Sequence, residues 1–223
     1  MKTNADDSEI RQVGDFFHSY AVDFDSIYGG RRNPVSRLID RLFRKSMRLR
    51  FQRTLSDLSD PILQSILDVG CGSGRYAVEL LKMDKEVTGI DLAPGMLAIA
   101  ERACKGLFPA DRYRFILGSY PDTVLGRRFD AALLIGFFDY VQDADAVIQG
   151  LKRDVERLFV ASFPKASGVL ALQRKIRYRL RNCPLYFYTE ADIHELMDRT
   201  GVVNYRITDL GRDLYLRAEL VSA

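Results

Sequence analysis

The sequence predicts an α/β fold: a Rossmann-like, doubly wound and mostly parallel sheet with helices on both faces and an antiparallel C-terminal strand pair. Short apolar runs alternate with amphipathic runs from Pro61 onward, which is typical of parallel strands joined by helical crossovers. A chain of 223 residues is long enough for one sizeable core, so we expect a single domain over residues 1–223.

The first part of the chain, residues 1–60, is predicted to be helical. Helices are predicted over residues 8–30 and 34–58, with a break at Gly29 and Gly30, and Pro34 suits the start of the second helix. A loose apolar stripe runs along the second helix.

The central part, residues 61–163, alternates between the two kinds of element. The predicted strands are SILDV, EVTGI, RYRFIL, RFDAALLI and RLFVASF, and the predicted helices are RYAVELLKM, APGMLAIAERAC and DADAVIQGLKR. Apolar strand segments of this kind are buried on both faces of a parallel sheet.

The last part, residues 164–223, has a different pattern. GVLALQRKIRYRLR and TEADIHELMDRTG are predicted helices, and the second begins with Thr189 and Asp192 in capping positions and ends at Gly201. VNYRITDL and DLYLRAELV are predicted strands that pair antiparallel across a turn near Gly211.

The composition is that of a soluble globular protein, with 47% hydrophobic and 28% charged residues. The longest apolar run, AALLIGFF, is far shorter than the about 20 residues that span a bilayer. The polar N-terminus is no secretory signal, and three widely spaced cysteines form neither a disulfide framework nor a zinc pattern. We therefore expect a cytoplasmic protein with no transmembrane segment and no metal site.

Two runs of basic residues, RLIDRLFRKSMRLRFQR and QRKIRYRLR, stand out against a net charge of only +3. Such runs suit a nucleic acid, an anionic membrane surface or an acidic substrate, and equally a solvated helix face. The sequence leaves these alternatives open.

The stretch ILDVGCGSGRYA combines a buried strand with a glycine-rich turn before a helix, where a ligand can approach the backbone closely. Gly72, Gly74 and Ala77 fit the spacing for a dinucleotide, and Asp91 stands 19 residues after Gly72. Asp68 argues against a dinucleotide, because a carboxylate at the turn repels a pyrophosphate and attracts an ammonium group. S-adenosylmethionine offers an ammonium group, a ribose diol and an adenine without a phosphate. A local cap on the loop is the alternative role for Asp68.

ILDVGCGSG followed by VTGIDLAPGML resembles the class I S-adenosylmethionine-dependent methyltransferase family, over about residues 61–163. NPVSRLIDRLFRKSMRLRFQRTL is similar, more loosely, to a helix of magnesium-protoporphyrin O-methyltransferases. The resemblance implies that residues 1–60 form a lid, 61–163 the cofactor-binding core and 164–223 the substrate side. It implies S-adenosyl-L-methionine as cofactor and S-adenosyl-L-homocysteine as product.

The resemblance also implies which residues bind the cofactor. The methionyl and ribosyl contacts are assigned to Asp68, Gly70 and Gly72, the ribose hydroxyls to Asp91, the adenine to Leu92, Met96, Ser119 and Tyr120, and the region of the reacting methyl to Ile135 and Gly136. Many members have an acid where Ser119 stands.

A catalytic base is needed only if the acceptor carries a proton, and the candidates are Asp139, Tyr140 and His18. His194 is interpreted as a surface or packing residue. The residues expected to close the site and hold the substrate are Tyr20, Tyr28, Arg177, Tyr186 and Tyr188.

We therefore expect transfer of a methyl group to an oxygen of a small-molecule acceptor, acidic or aromatic in character. The tetrapeptide D/N-P-P-Y/F of amine-methylating relatives is missing, and no added nucleic-acid-binding domain is evident. The alternatives are an RNA-associated methyltransferase, a non-catalytic cofactor-binding partner subunit and a dinucleotide oxidoreductase. The sequence does not determine the oligomeric state.

Overall fold

The computed structural model describes residues 34–166 and 185–220, with side chains from residue 46 onward. Its helices are α1 Pro34–Asp57, α2 Arg75–Lys82, α3 Pro94–Cys104, α4 Ala144–Asp154 and α5 Glu190–Thr200. Its strands are β1 Ser65–Val69, β2 Glu86–Asp91, β3 Tyr113–Leu117, β4 Phe129–Leu134, β5 Val155–Pro164, β6 Asn204–Asp209 and β7 Asp213–Glu219. The helices predicted at residues 8–30 and 168–181 lie outside the described residues.

These strands form one seven-stranded sheet in the order β3-β2-β1-β4-β5-β7-β6. Strands β1 to β5 pair in parallel, and β7 pairs antiparallel with both β5 and β6. The predicted fold class is confirmed. The strand order reverses between β1 and β4, and ligands of doubly wound sheets bind outside the carboxyl ends of the strands at such a reversal.

Burial on both faces explains why the central strands have continuous apolar sequences. All five residues of β1 are buried, and neighbouring residues belong to different clusters. Leu67 joins a cluster that contains apolar side chains of α4 and α5, while Ile66 joins one that contains side chains of α2 and α3. The two helical layers therefore cover opposite faces of the sheet.

Helix α1 is fastened to the antiparallel end of the sheet. The Oη atom of Tyr215 in β7 donates a hydrogen bond to Asp57 at 2.9 Å, and the Oγ atom of Ser46 donates to the carbonyl of Leu210 at 2.9 Å. Arg217 in β7 adds an ion pair to Asp57 at 3.8 Å. These contacts hold the second half of α1 against β7 and the turn that precedes it. A lid function for residues 1–60 stays a prediction.

No helix within the described ranges is long and apolar enough to cross a membrane.

The start of α5 contains a capping box whose loss should be measurable. The Oγ1 atom of Thr189 accepts the N–H of Asp192 at 3.2 Å, and the Asp192 carboxylate accepts the N–H of Thr189 at 2.7 Å. Thr189→Ala removes one of these acceptors, and we expect it to lower the free energy of unfolding by about 0.5–2 kcal/mol. Urea denaturation measures the change. Thr189→Ser keeps the hydroxyl and should stay within experimental error of the parent; equal losses in both variants would contradict the capping role.

Candidate functional site

A cavity of about 450 Å³ opens at the carboxyl ends of β1, β2 and β4. It brings together every residue that the sequence assigned to the cofactor: Asp68, Gly70, Gly72, Asp91, Leu92, Met96, Ser119, Tyr120, Ile135 and Gly136. The fold therefore gathers these residues around one space, and their individual roles toward a ligand stay predictions.

The glycine turn after β1 needs glycine for two reasons. Gly72 has a φ of 53°, a conformation that other residues rarely adopt, and a Cβ atom there would meet no other atom. That open space borders the cavity and is available to a ligand. Gly74 also has a positive φ, and a Cβ atom there would lie 2.8 Å from the Cβ of Ala100 in α3. Its glycine lets α2 and α3 pack closely behind the turn.

Asp68 at the end of β1 is the most unusual charged group of the cavity. It is 2% exposed, and its Oδ2 atom has no hydrogen-bond partner among the described residues. Burial, together with the nearby charge of Asp91, raises the pKa of Asp68 to about 8. A buried carboxylate without a partner is unfavourable, and a ligand cation would relieve that cost.

Asp91 at the end of β2 has a structural role that the sequence analysis missed. Its Oδ2 atom accepts the N–H of Gly72 at 2.8 Å, and its Oδ1 atom accepts the N–H of Ala93 at 2.8 Å. The carboxylate thus links the glycine turn to the start of α3. Burial raises the pKa of Asp91, although hydrogen bonds from the backbone of Ala93, Gly72 and Leu92 oppose that shift. Each oxygen still has a lone pair with which to accept a ligand hydroxyl.

Tyr120 marks the end of the cavity where the adenine is expected. Its Oη atom donates to the buried Asp154 of α4 at 3.1 Å, and Arg153 binds the same carboxylate through two bonds of 2.7 Å. A Cβ atom on Gly150 would lie 2.5 Å from Pro121, so α4 packs directly against this loop. The phenol O–H is therefore already bonded to Asp154. We expect a ligand at this end of the cavity to bind the backbone near Ser119 instead.

The predicted catalytic residues fall in different places. Tyr140 lines the cavity beside Gly136, whose N–H is bound by the Oγ atom of Ser162 at 2.8 Å. Asp139 is 5% exposed and is not among the residues that line the cavity, and its carbonyl accepts the N–H of Tyr186 at 2.9 Å. His18 lies outside the described residues. A catalytic role for each stays a prediction.

The predicted substrate residues are only partly described. Tyr188 packs with its ring centroid 4.9 Å from that of Phe163, and neither Tyr188 nor Tyr186 lines the cavity. His194 lies on the exposed side of α5, with Nδ1 2.6 Å from the Oη of Tyr205, as expected for a surface residue. Tyr20, Tyr28 and Arg177 lie outside the described residues.

Sequence reasoning missed a wall of the cavity that α1 and α2 provide. Met47 and Arg50 of α1 and Arg75 and Tyr76 of α2 all line it. The Phe51 ring of α1 lies 5.0 Å from that of Tyr76. The only sequence signal for Arg50 was its place in a basic run, and that run gave no reason to choose it over its neighbours.

No group of His, Cys, Asp and Glu side chains that could hold a metal ion is found within residues 34–166 and 185–220.

The sheet order, the glycine turn and the cavity at the strand reversal define the class I methyltransferase fold. Residues 66–156 match the family described as methyltransferase domain. The predicted resemblance to the class I S-adenosylmethionine-dependent methyltransferases is confirmed for the fold and for this matched segment.

Solved structures with this fold cover most of the chain. Magnesium protoporphyrin IX methyltransferase from Synechocystis PCC 6803, with bound SAH, is 22% identical with a TM-score of 0.71 and covers 93% of this chain and 97% of that one. An O-methyltransferase family protein from Burkholderia thailandensis is 16% identical with a TM-score of 0.63, over 77% of this chain and 56% of that one. At such identities the similarity concerns the fold alone.

Curated relatives match over shorter stretches. Ubiquinone biosynthesis O-methyltransferase of Xanthomonas oryzae pv. oryzae is 28% identical over 112 residues, which is 48% of this chain and 46% of that protein. The protein of the same name from Methylobacterium nodulans is 33% identical over 88 residues, 38% of this chain and 34% of that protein. The chain spans about half the length, or less, of these relatives.

The buried state of Asp68 predicts proton release when a cationic ligand binds. Without a cation beside it, Asp68 has a pKa of about 8, so the carboxyl is mostly protonated at pH 7. An ammonium group beside it would lower that pKa, and S-adenosylhomocysteine should then displace close to one proton at pH 7. Affinity should rise by up to about tenfold per pH unit from about pH 6 to about pH 8. Calorimetry in buffers of different ionisation enthalpy measures the released proton. Tight binding without proton release would contradict the assignment of Asp68 to the ammonium.

Asp91→Ala should weaken binding of S-adenosylhomocysteine by about 1.5–3 kcal/mol, because both ribose hydroxyls lose a charged acceptor. Titration calorimetry on the folded variant gives the value. The 2′,3′-dideoxy analogue of the same ligand lacks these hydroxyls, so the parent and the variant should bind it with similar affinity. If the analogue lost as much affinity as the natural ligand, the effect would come from loosening the turn at Gly72 rather than from the ribose.

Proposed function

We propose that this protein is an S-adenosylmethionine-dependent methyltransferase that moves a methyl group to an oxygen of a small-molecule acceptor. The observation that carries the proposal is the buried Oδ2 atom of Asp68, which borders the cavity without a partner. A carboxylate in this position suits a ligand ammonium and disfavours a ligand phosphate.

The other residues of the cavity fit the remaining parts of S-adenosylmethionine. Asp91 has acceptor capacity left for the ribose diol, Leu92 and Met96 offer apolar surface to the adenine, and Gly72 leaves room beside the backbone. The cofactor supplies a methyl group activated by a sulfonium. The protein binds the cofactor, aligns the acceptor with it and excludes water. Together these effects account for much of the rate of such a reaction.

An oxygen acceptor is supported by the names of two kinds of similar protein. The curated relatives include ubiquinone biosynthesis O-methyltransferases, and the solved structures include O-methyltransferase family members. Tyr140 is the predicted catalytic residue that lines the cavity, and we assign it to orient the acceptor oxygen. Asp139 then positions the segment of Tyr186, whose N–H its backbone carbonyl accepts at 2.9 Å.

A small molecule is favoured over RNA because the described arginines of the first basic run are not uniformly free. Arg50 pairs with Asp213 at 2.8 Å, and Arg53 pairs with Asp57 at 3.0 Å. Two arginines that are held by separate carboxylates within the protein do not form the continuous basic row that a phosphate backbone would bind.

One substitution separates this proposal from a dinucleotide enzyme. Asp68→Asn keeps the shape of the side chain but removes its charge, so it should weaken S-adenosylhomocysteine binding by about 1–3 kcal/mol. Binding of NADPH should not improve to a comparable level. Asp198→Asn on the exposed side of α5 is the matched control and should change neither affinity. Tighter NADPH binding together with unchanged S-adenosylhomocysteine binding would overturn the proposed function.

A further inference from the structure

Two buried side-chain atoms on the wall of the cavity, one a hydrogen-bond donor and the other an acceptor, have no hydrogen-bond partner among the described residues. Among the described residues, the buried side-chain atoms without a hydrogen bond are Arg50 Nε, Asp68 Oδ2 and Arg112 Nε. Arg50 and Asp68 both line the cavity. The oxygen of Asp68 calls for a donor, which the proposed cofactor supplies as an ammonium group. The Nε–H of Arg50 requires a hydrogen-bond acceptor, which the ammonium group of the cofactor is not.

Arg50 is held in place through one end of its guanidinium. Its Nη1 atom donates to Asp213 Oδ2 at 2.8 Å and lies 3.5 Å from the Oγ atom of Ser162. No hydrogen bond from its Nε or Nη2 to another described residue is observed. These two nitrogens form one edge of the guanidinium, and that edge matches the two oxygens of a carboxylate. Asp213 thus orients the cation and leaves its carboxylate-binding edge unused.

The strand positions put Arg50 on a different side of the cavity from Asp68. Asp68 is the last residue but one of β1, whereas Ser162 lies on β5 and Asp213 begins β7. Strand β4 separates β1 from β5, so the anchor of Arg50 lies about 10 Å across the sheet from Asp68 at the usual strand spacing. The ammonium and carboxylate of an amino acid share one carbon. An amino-acid group whose ammonium is bound by Asp68 would therefore not place its carboxylate over β5 as well.

Arg50 also lies next to the segment that follows β4. The Oγ atom of Ser162, which contacts Arg50, accepts the N–H of Gly136 at 2.8 Å. Tyr140 lines the cavity in the same segment. This is the segment that the methyltransferase resemblance assigns to the surroundings of the reacting methyl, so a group bound by Arg50 would lie where the acceptor is expected.

We propose that the acceptor is a carboxylic acid and that the Nε and Nη2 edge of Arg50 binds its carboxylate for conversion into a methyl ester. This inference rests on the proposed function. A carboxylate oxygen forms a bond to the methyl carbon as the bond from that carbon to sulfur breaks, and the electron pair of the broken bond stays on sulfur. No proton is transferred, because a carboxylic acid is already ionised at neutral pH. Each oxygen has two lone pairs, so a bond to Arg50 leaves one for the methyl group.

The experiment uses the full chain, S-adenosylmethionine with a radioactive methyl group, and a protein-free small-molecule extract of the producing cells as acceptor pool. Alkali hydrolyses methyl esters to volatile methanol, whereas methyl ethers and methylated nitrogens survive the treatment. The parent protein should give radioactivity that becomes volatile in alkali.

Arg50→Lys keeps a cation beside Asp213 but lacks the two-nitrogen edge. It should require at least about tenfold more extract for half-maximal transfer, which corresponds to about 1.4 kcal/mol. Arg50→Met should lose more, and both variants should bind S-adenosylhomocysteine as the parent does. Arg53→Met is the matched control, since Arg53 is exposed on the same helix and does not line the cavity. It should transfer methyl groups as the parent does.

The outcomes separate this inference from the proposed function. Label that resists alkali would mean that the protein is a methyltransferase whose acceptor is not a carboxylate, which overturns the inference alone. A tenfold loss of S-adenosylhomocysteine affinity in Arg50→Lys, with unchanged dependence on extract, would assign Arg50 to the cofactor and also overturn it. Failure to transfer any label from bound cofactor would overturn the proposed function, and the acceptor assignment with it.

Discussion

The candidate site depends on the pair of hydrogen bonds made by the Asp91 carboxylate. By accepting the N–H groups of Gly72 and Ala93, it joins the glycine turn after β1 to the beginning of α3. Burial of a carboxylate is costly unless its oxygens are bonded, and these two bonds offset that cost at the end of β2. The turn is held open next to the cavity, where Gly72 leaves space that a side chain would fill. The same carboxylate can therefore shape the site and still present acceptor capacity to a ligand.

The charges of the cavity are separated along the sheet rather than paired with one another. Asp68 lies at the end of β1 with an unpartnered oxygen, and Arg50 is held over β5 and β7 by Ser162 and Asp213. Unpartnered buried polar atoms lower stability, and proteins retain them mainly where a ligand completes the bonding. The separation gives the cavity a side that suits a cation and a side that suits an anion. This division lets the cavity hold two ligand groups of opposite charge, each in its own orientation.

Helix α1 connects this chemistry to the antiparallel end of the sheet. Its bonds to Tyr215 and Leu210 fix its position, and Arg50 projects from it to the cavity while Arg53 stays on the exposed side. The basic run is thus not one functional unit. One arginine is directed inward by Asp213, and a neighbour less than one turn away remains in solvent. The antiparallel insertion of β7 makes this arrangement possible, since it brings Asp213 next to Pro164 at the end of β5.

The sequence by itself predicted the sheet, the glycine turn and, through the family resemblance, the ten residues that the structure gathers around one cavity. Burial on both faces requires continuous apolar strands, a positive φ requires glycine, and the capping box of α5 is encoded within four residues. Only the tertiary structure decided the second bonding role of Asp91, the engagement of Tyr120 by Asp154, and the placement of Asp139 away from the cavity wall. It also singled out Arg50 from a run of similar residues. These features depend on partners up to 163 positions apart in the chain, such as Arg50 and Asp213, and no local pattern records which distant residues a fold brings into contact.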